Sequence, residues 1–321
     1  MRHLIHRSTL TVFLTMLSAT GNAQVPIGLT PRAAHSSDRE TVAFVTARAV
    51  EHDRKAFDYY GARRGELSAG DCAVDLDAAR KRQIVGLQAL AVDEIVDRFL
   101  AAGGHVTVYV HGYNVSFEEA CRQAALLQHR LALEDRLLFF SWPTEAKVMG
   151  YLGDMGDVEW SVLPLRKLLL MLVDHYGPGT VDVVAHSLGA RAVVDAVRGV
   201  GAIRGANTLG RIILIAPDLD ADVFVRDYVE LREGASMIAV YVSPQDRALK
   251  ASRNVRDQAR LGEGRADLSG LPQLDVIEVM QSRWRWGARH EYHLNNGSVI
   301  DDLRGVLSGP PHESGSRIIA H

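Results

Sequence analysis

Short apolar runs alternate with longer amphipathic segments along most of the chain. Five apolar runs without polar alternation lie around Val106, Leu137, Val181, Ile212 and Ile238. A strand with both faces covered has this pattern, because neither face meets water. Between the runs lie segments with apolar residues at helical spacing, of which the clearest are 117–133, 158–175 and 189–199. This alternation predicts an α/β fold with a mostly parallel, doubly wound sheet.

Three further strands extend the expected sheet, and they are predicted at 41–46, 72–76 and 275–280. A loop is expected over 61–70. Residues 217–236 have room for one helix between two predicted strands, so no large cap domain is expected there. The glycine-containing segment 143–159 is the remaining candidate cover, and we expect it to be mobile over an open site.

The N-terminus has the three parts of a secretory signal peptide. Arg2 and Arg7 supply positive charge, 10–17 is a short apolar core, and small residues precede Gln24 in Gly21-Asn22-Ala23. An uncleaved anchor helix is the competing interpretation, although the apolar core is too short to span a bilayer. We expect residues 1–23 to be removed, and the mature protein to be periplasmic or secreted with no membrane span.

The rest of the chain divides into three expected parts. Residues 24–40 form a flexible leader that contains Pro, Ser and Ala. Residues 41–307 form one folded domain. Residues 308–321 hold two Pro and two Gly and are expected to be a disordered tail.

Composition and charge narrow the functional classes. Hydrophobic residues make up 47% of the 321 residues and charged residues 23%, which is enough apolar material for a folded core. A formal net charge of −3 provides no field that attracts nucleic acid or an anionic membrane. Two cysteines, Cys72 and Cys121, are too few for a disulfide scaffold or a four-cysteine zinc site. Export permits a disulfide between them, and two buried free thiols are the alternative.

A serine follows the buried strand 181–185 at a sharp turn into a helix. The turn reads Ala185-His-Ser187-Leu-Gly189. A strand–turn–helix of this kind holds the serine hydroxyl above the sheet and needs small residues two positions before and two after it. An ordinary serine at the start of a helix is the alternative. The position directly after a buried strand favours Ser187 as a nucleophile.

A nucleophilic serine of this type needs two backbone N–H groups that stabilise the oxyanion formed on the substrate. One comes from the residue after the nucleophile, Leu188. The other comes from the loop after strand 106–110, where Gly112 permits a tight turn and Tyr113 is the candidate donor. The imidazole of His111 is expected to be structural and bonded to loop backbone.

Several motifs occur in a fixed order along the chain. They are Tyr59-Tyr-Gly-Ala-Arg-Arg-Gly65, Gly70-Asp-Cys72, His111-Gly-Tyr-Asn-Val-Ser-Phe117, Phe140-Ser-Trp-Pro143, Ala185-His-Ser-Leu-Gly189, Ala216-Pro-Asp-Leu-Asp220 and Tyr241-Val-Ser-Pro-Gln-Asp-Arg-Ala-Leu249. Together they resemble the DUF900 family of α/β-hydrolases, which is esterase- or lipase-like with an undefined substrate. The similarity covers about residues 41–307 and implies the α/β-hydrolase fold.

The orienting carboxylate of a triad lies between the serine and the histidine in the chain order of this fold. Asp218, Asp220 and Asp246 follow strand ends after Ser187. Asp246 comes after strand 237–242 in the usual acid position, and the resemblance points to the same residue. Asp218 is the competitor. If they are not catalytic, Asp218 and Asp220 are expected to cap the next helix.

The candidate base lies between the last predicted strand and the last helix, where His290 and His293 occur. His290-Glu-Tyr292 resembles the histidine–tyrosine segment of the family, so His290 is favoured and His293 is expected to be a solvated loop residue. The sequence His290-Glu-Tyr-His293 lacks the spacing of an H-E-x-x-H zinc site, and no phosphate-binding glycine motif is present. We expect no metal and no organic cofactor.

The sequence therefore predicts an exported serine hydrolase that cleaves small-molecule or lipid-like carboxylic esters through an acyl-enzyme. Ser187, His290 and Asp246 are the candidate triad. One alternative is an acyltransferase with the same triad, which passes the acyl group to an alcohol instead of water. The other is a non-enzymatic envelope protein that keeps the fold for binding or structure.

Overall fold

The computed structural model describes residues 39–51, 59–76, 84–99, 105–133, 136–144, 150–280, 290–309 and 315–320. The predicted signal peptide and almost all of the predicted leader lie outside the described residues, so both stay predictions. None of the described helices is long and apolar enough to cross a membrane.

One sheet of ten strands runs through the described part of the chain. The strands are β1 (Arg39–Val50), β2 (Tyr60–Asp75), β3 (Ile84–Leu90), β4 (Val106–Val110), β5 (Leu137–Ser141), β6 (Val181–His186), β7 (Leu209–Ile215), β8 (Ala235–Val242), β9 (Leu274–Met280) and β10 (Ser316–Ala320). Their order across the sheet is β10-β9-β8-β7-β6-β4-β5-β1-β2-β3. Strand β2 is antiparallel to both its neighbours, and every other neighbouring pair is parallel.

Helices cover both faces of the sheet. They are α1 (Val92–Arg98), α2 (Phe117–Leu131), α3 (Tyr151–Trp160), α4 (Val162–Tyr176), α5 (Gly189–Arg204), α6 (Ala221–Glu233), α7 (Arg247–Arg256), α8 (Tyr292–Asn295) and α9 (Gly297–Ser308). Helices α1, α4, α5 and α6 pack on one face, and α2 and α9 on the other. Strand β4 is buried on both faces, with Val108 in the first core and Tyr109 in the second. The predicted doubly wound, mostly parallel sheet is confirmed.

Two predicted irregular segments are strands instead. The expected loop over 61–70 lies inside β2, whose residues pair with β1 from Asp75 to Tyr60. Within the expected disordered tail, β10 pairs in parallel with β9, and Arg317 makes two 3.0 Å hydrogen bonds to the Asp302 carboxylate. Both predictions were wrong because pairing with another strand, β1 for 61–70 and β9 for 316–320, is not revealed by local glycine and proline content.

The segment expected to be a mobile cover is largely a helix. Residues 145–149 lie outside the described part, and α3 begins at Tyr151 despite two glycines within it. The Tyr151 hydroxyl donates to the Asp218 carboxylate at 2.8 Å and lies 2.9 Å from Ser252 Oγ. Between β7 and β8 the chain forms only α6, as expected for a fold without a large cap.

The two cysteines are buried and unbridged. Cys72 lies in β2 and Cys121 in α2, and the two thiols are close enough to influence each other. Burial, and then this contact, raises the pKa of the Cys121 thiol. Of the two possibilities that the sequence allows, a disulfide or two buried free thiols, the structure shows the free thiols.

The packing of β10 against the core can be tested by substituting two adjacent isoleucines. Ile319 packs half-buried on the core, whereas Ile318 is 68% exposed. We expect Ile319→Ala to lower the free energy of unfolding by about 1 kcal/mol, because part of the side chain leaves its apolar contacts. Ile318→Ala should change it by less than about 0.5 kcal/mol. Urea unfolding followed by circular dichroism measures both, and equal effects would contradict a seated strand.

Candidate active site

Ser187 occupies a strained turn between β6 and α5. Its φ of 53° lies in the left-handed region, which costs a non-glycine residue about 1–3 kcal/mol. The Ser187 amide donates to the Ile215 carbonyl of β7 at 3.0 Å, which holds the turn against the neighbouring strand. The predicted strand–turn–helix is therefore present at this serine.

The turn approaches two backbone segments closely enough to require glycine. A Cβ atom at Gly189 would lie 2.3 Å from the His111 carbonyl oxygen. One at Gly112 would lie 2.9 Å from Ser187 Cβ and 2.7 Å from His186 Nδ1. These distances are too short for non-bonded atoms. Glycine at both positions lets the loop after β4 meet the serine turn.

Ser187, His290 and Asp246 form a continuous hydrogen-bonded chain. His290 Nε2 is 2.7 Å from Ser187 Oγ, and His290 Nδ1 is 2.7 Å from Asp246 Oδ2. Asp246 is fully buried and also caps α7, where its Oδ1 accepts from the amides of Ala248 and Leu249 at 2.9 and 3.1 Å. With Nδ1–H donating to the carboxylate, Nε2 is left to accept the serine proton.

The pKa of His290 reflects two opposing effects. Burial lowers it, but the charge and hydrogen bond of Asp246 outweigh burial, and Asp218 and Glu291 add to the increase. The net result is a pKa above the ordinary value. A base that gains affinity for the proton in this way is suited to accept one from a hydroxyl at neutral pH.

The Asp218 carboxylate bonds side chains other than His290. It accepts hydrogen bonds from Tyr151 and Ser252 at 2.8 and 2.7 Å, and Arg260 lies 3.7 Å away. Only its backbone reaches the serine turn, where the Asp218 amide donates to the Ser187 carbonyl at 3.1 Å. The predicted capping role is borne out for the neighbouring acid, Asp220, which accepts from the first amides of α6.

His293 is buried, and the expectation of a solvated loop residue was wrong. It lies in α8, its Nε2 is 3.2 Å from the Tyr109 hydroxyl, and its ring centre is 4.3 Å from that of His186. Burial lowers the pKa of His293 to about 3 and that of His186 well below its ordinary value. Both rings are therefore neutral beside His290, whose carbonyl lies 3.1 Å from His186 Nε2.

Each candidate oxyanion donor follows one of the two residues in close contact, Ser187 and Gly112. Leu188 precedes the first residue of α5, and among the described residues its amide has no protein acceptor. A free amide at a helix N-terminus is suited to an anion, because the helix dipole adds to the N–H. Tyr113 follows Gly112, the residue in contact with the Ser187 turn.

Comparison with known proteins identifies the family of this fold. The model of a family described as alpha/beta hydrolases of unknown function (DUF900) matches residues 89–294. The chain belongs to this family. It is an α/β-hydrolase, as the resemblance of its motifs implied. No curated protein matches the chain.

Solved structures similar to this chain include three hydrolases of low identity. An esterase from the hyperthermophilic archaeon Pyrobaculum calidifontis is 14% identical, with 90% of this chain and 76% of that chain covered and a TM-score of 0.30. An esterase of the bacterial hormone-sensitive lipase family is 13% identical, with 90% and 76% covered and a TM-score of 0.35. The thioesterase domain of NocB, from the nocardicin cluster, is 18% identical, with 66% and 97% covered and a TM-score of 0.37.

Within the described part of this DUF900 protein, no cluster of three or more His, Cys, Asp or Glu is arranged to hold a metal ion. The two histidines of His290-Glu-Tyr-His293 have different partners. One histidine bonds Ser187 and Asp246, and the other bonds Tyr109.

Sequence reasoning missed two polar residues that contact the site loops, Arg48 and Ser141. Arg48 is fully buried in β1 and donates to Ser141 Oγ at the end of β5. A signal for Arg48 exists, since it is the one long charged side chain inside the apolar run 41–50. Ser141 lies within the Phe140–Pro143 motif, to which no role was assigned.

The source of the raised His290 pKa can be tested by NMR titration of its ring protons. In Asp246→Asn the carboxylate charge is gone and burial remains. The pKa of His290 should therefore fall below the ordinary value of about 6.5. Asp218→Asn serves as the control and should lower it less, because Asp218 acts on His290 only through space. An equal fall in both variants would contradict this assignment.

Proposed function

We propose that this protein is an exported serine hydrolase that cleaves carboxylic esters through an acyl-enzyme on Ser187. The observation that carries the proposal is the unbroken chain from Ser187 Oγ through His290 to Asp246, with 2.7 Å at each step. The proposal is further supported by the strained turn that presents the serine, as in nucleophile elbows of this fold.

Catalysis begins when His290 Nε2 takes the proton of Ser187 as the hydroxyl attacks the ester carbonyl. Asp246 keeps the proton of His290 on Nδ1 and stabilises the imidazolium that forms. The imidazolium then protonates the leaving alkoxide. Water, activated by the same histidine, attacks the acyl-enzyme and releases the carboxylic acid.

The oxyanion of each tetrahedral intermediate would accept hydrogen bonds from the amides of Leu188 and Tyr113. Removing one such donor typically raises the barrier by about 2.7–4 kcal/mol. Gly112 supports this role, because its close contact with Ser187 leaves the amide that follows next to the reacting serine.

The proposed substrates are small-molecule or lipid-like esters. Between β7 and β8 only α6 is present, so no inserted domain restricts the substrate at that point. The proposed location is periplasmic or extracellular, and it rests on the signal-peptide features of residues 1–23.

Covalent labelling tests the nucleophile directly. A fluorophosphonate probe should label purified wild-type protein, because it reacts with an activated serine, and should not label Ser187→Ala. Labelled peptides identified by mass spectrometry should contain Ser187. Absence of wild-type labelling, or equal labelling of the variant, would reject the proposal. Release of free acid from 4-nitrophenyl butyrate without an added alcohol distinguishes hydrolysis from acyl transfer to an alcohol.

The acid of the triad can be tested with two asparagine variants. Asp246→Asn should lower kcat by about 10⁴-fold, because the amide favours the wrong imidazole tautomer, as the corresponding change does in serine proteases. Asp218→Asn should leave kcat within about tenfold of wild type, because that carboxylate does not touch His290. Steady-state kinetics on the same ester decides, and the reverse order would move the acid to Asp218.

A further inference from the structure

We propose that Arg48, acting through Ser141 and His111, positions and polarises the Tyr113 amide in the oxyanion hole. The inference rests on the proposed function and assigns a positioning role to a buried cation outside the triad.

Arg48 is a buried cation held by neutral acceptors. Its Nε donates to Ser141 Oγ at 2.8 Å and its Nη2 to the Val115 carbonyl at 2.8 Å, while Nη1 donates to the carbonyls of Gly61 and Thr144 at 3.1 and 3.4 Å. Among the described residues no carboxylate forms a salt bridge with Arg48, and the charges of Asp154 and Asp157 favour the cation only through space. Burial lowers the pKa of Arg48 to about 9, so the side chain stays charged at neutral pH.

A buried charge without a carboxylate in direct contact is costly, and packing alone does not require one. Its hydrogen bonds indicate what it does instead. Nη2 bonds Val115 at the far end of the loop after β4, and Nε bonds the serine next to His111 at the near end. Arg48 therefore contacts, directly or through one side chain, both ends of the segment that contains Gly112 and Tyr113.

The hydrogen bonds from Arg48 through Ser141 and His111 to Gly112 all donate in the same direction. Burial, and then the charge of Arg48, lowers the pKa of His111 to about 3, so the imidazole is neutral with one N–H. His111 Nδ1 is 2.9 Å from the Gly112 carbonyl, which can only accept, so Nδ1 carries the proton. His111 Nε2 must then accept from the Ser141 hydroxyl at 3.3 Å, while Ser141 Oγ accepts from Arg48.

The series of hydrogen bonds from Arg48 through Ser141 and His111 ends at the peptide bond between Gly112 and Tyr113, which carries the candidate donor. The Gly112 carbonyl and the Tyr113 N–H belong to one trans peptide, so they point in opposite directions. Fixing the carbonyl through His111 therefore fixes the direction of the N–H. A hydrogen bond to the carbonyl also polarises the peptide, and linked hydrogen bonds strengthen one another in a dry interior.

The His111 ring is held so that it can transmit this effect. The Trp142 indole N–H donates to the His111 carbonyl at 2.8 Å, and the two rings stack with centres 5.3 Å apart and planes at 11°. With its backbone and both ring nitrogens bonded, His111 has no alternative orientation that keeps these contacts. A change at Ser141 or Arg48 therefore acts on the Gly112–Tyr113 peptide.

The test compares an ester with its thionoester, in which sulfur replaces the carbonyl oxygen. Sulfur accepts hydrogen bonds weakly, so the ratio of kcat for 4-nitrophenyl butyrate to kcat for the thiono analogue reports on the oxyanion hole. Ser141→Ala interrupts the series of hydrogen bonds between Arg48 and His111 and keeps both of these residues. Arg48→Met removes the cation at similar length. Thr46→Val is the matched control, because it removes two buried hydrogen bonds, to the Ser141 carbonyl and from the Arg48 amide, but leaves the side-chain hydrogen bonds from Arg48 through Ser141 to His111 in place.

Complete loss of an oxyanion donor lowers kcat about 10²–10³-fold, so a weakened donor in Ser141→Ala should lower kcat for the ester by about tenfold. The thionoester rate should change little and KM should not change, so the ratio falls. Arg48→Met should lower the ratio in the same way. The double variant, Ser141→Ala with Arg48→Met, should lower it no further, because both residues act through the same series of hydrogen bonds. The pH dependence governed by His290 should stay in place, and Thr46→Val should lower stability without lowering the ratio.

An unchanged ratio in folded Ser141→Ala would overturn the inference and leave the proposed hydrolase intact. The same holds if ester and thionoester rates fall by one common factor, or if Thr46→Val lowers the ratio as much. If wild-type protein shows no turnover that depends on Ser187, the proposed function and this inference fall together.

Discussion

The site depends on one close approach, in which the turns after β4 and β6 meet without room for a side chain between them. Gly112 lies against Ser187, and Gly189 lies against the His111 carbonyl. Because β4 and β6 are adjacent parallel strands, this contact brings the candidate oxyanion loop beside the candidate nucleophile. Any side chain at either glycine would push the two turns apart, so the chemistry of the site begins with a packing constraint.

Burial then decides which groups near this contact carry charge. His186 and His293 lose their protons to desolvation, whereas His290 gains affinity for one because Asp246 is bonded to it. Asp246 stays in place because the first amides of α7 hold its other oxygen. The site thus has one histidine that can cycle a proton and two neutral rings packed near it. Arg48 is a buried cation that donates to neutral acceptors, one of which is the Val115 carbonyl at the end of the loop after β4.

Local sequence was informative where a short segment carries its own physical signal. The turn at Ser187 could be predicted because a buried strand, small flanking residues and a following helix are all local features. The buried strands could be predicted because short apolar runs rich in β-branched and aromatic residues are typical of doubly covered strands. The sequence evidence for Asp246 over Asp218 as the triad acid was weaker than the evidence for the serine turn. Both follow strand ends, and only the structure places one carboxylate on His290 and the other on Tyr151 and Ser252.

The sequence by itself determined the class of fold, the sharp turn at Ser187 and the set of residues from which a triad could be assembled. Tertiary structure decided the rest. Residues 61–70 and 316–320 are strands because they pair with other strands, 61–70 with the preceding β1 and 316–320 with the more distant β9. Tertiary structure also buried His293 and placed Arg48 within reach of Ser141, 93 residues away. Periodicity and turn chemistry act between near neighbours, whereas desolvation and hydrogen-bond pairing depend on which distant segments the fold brings together.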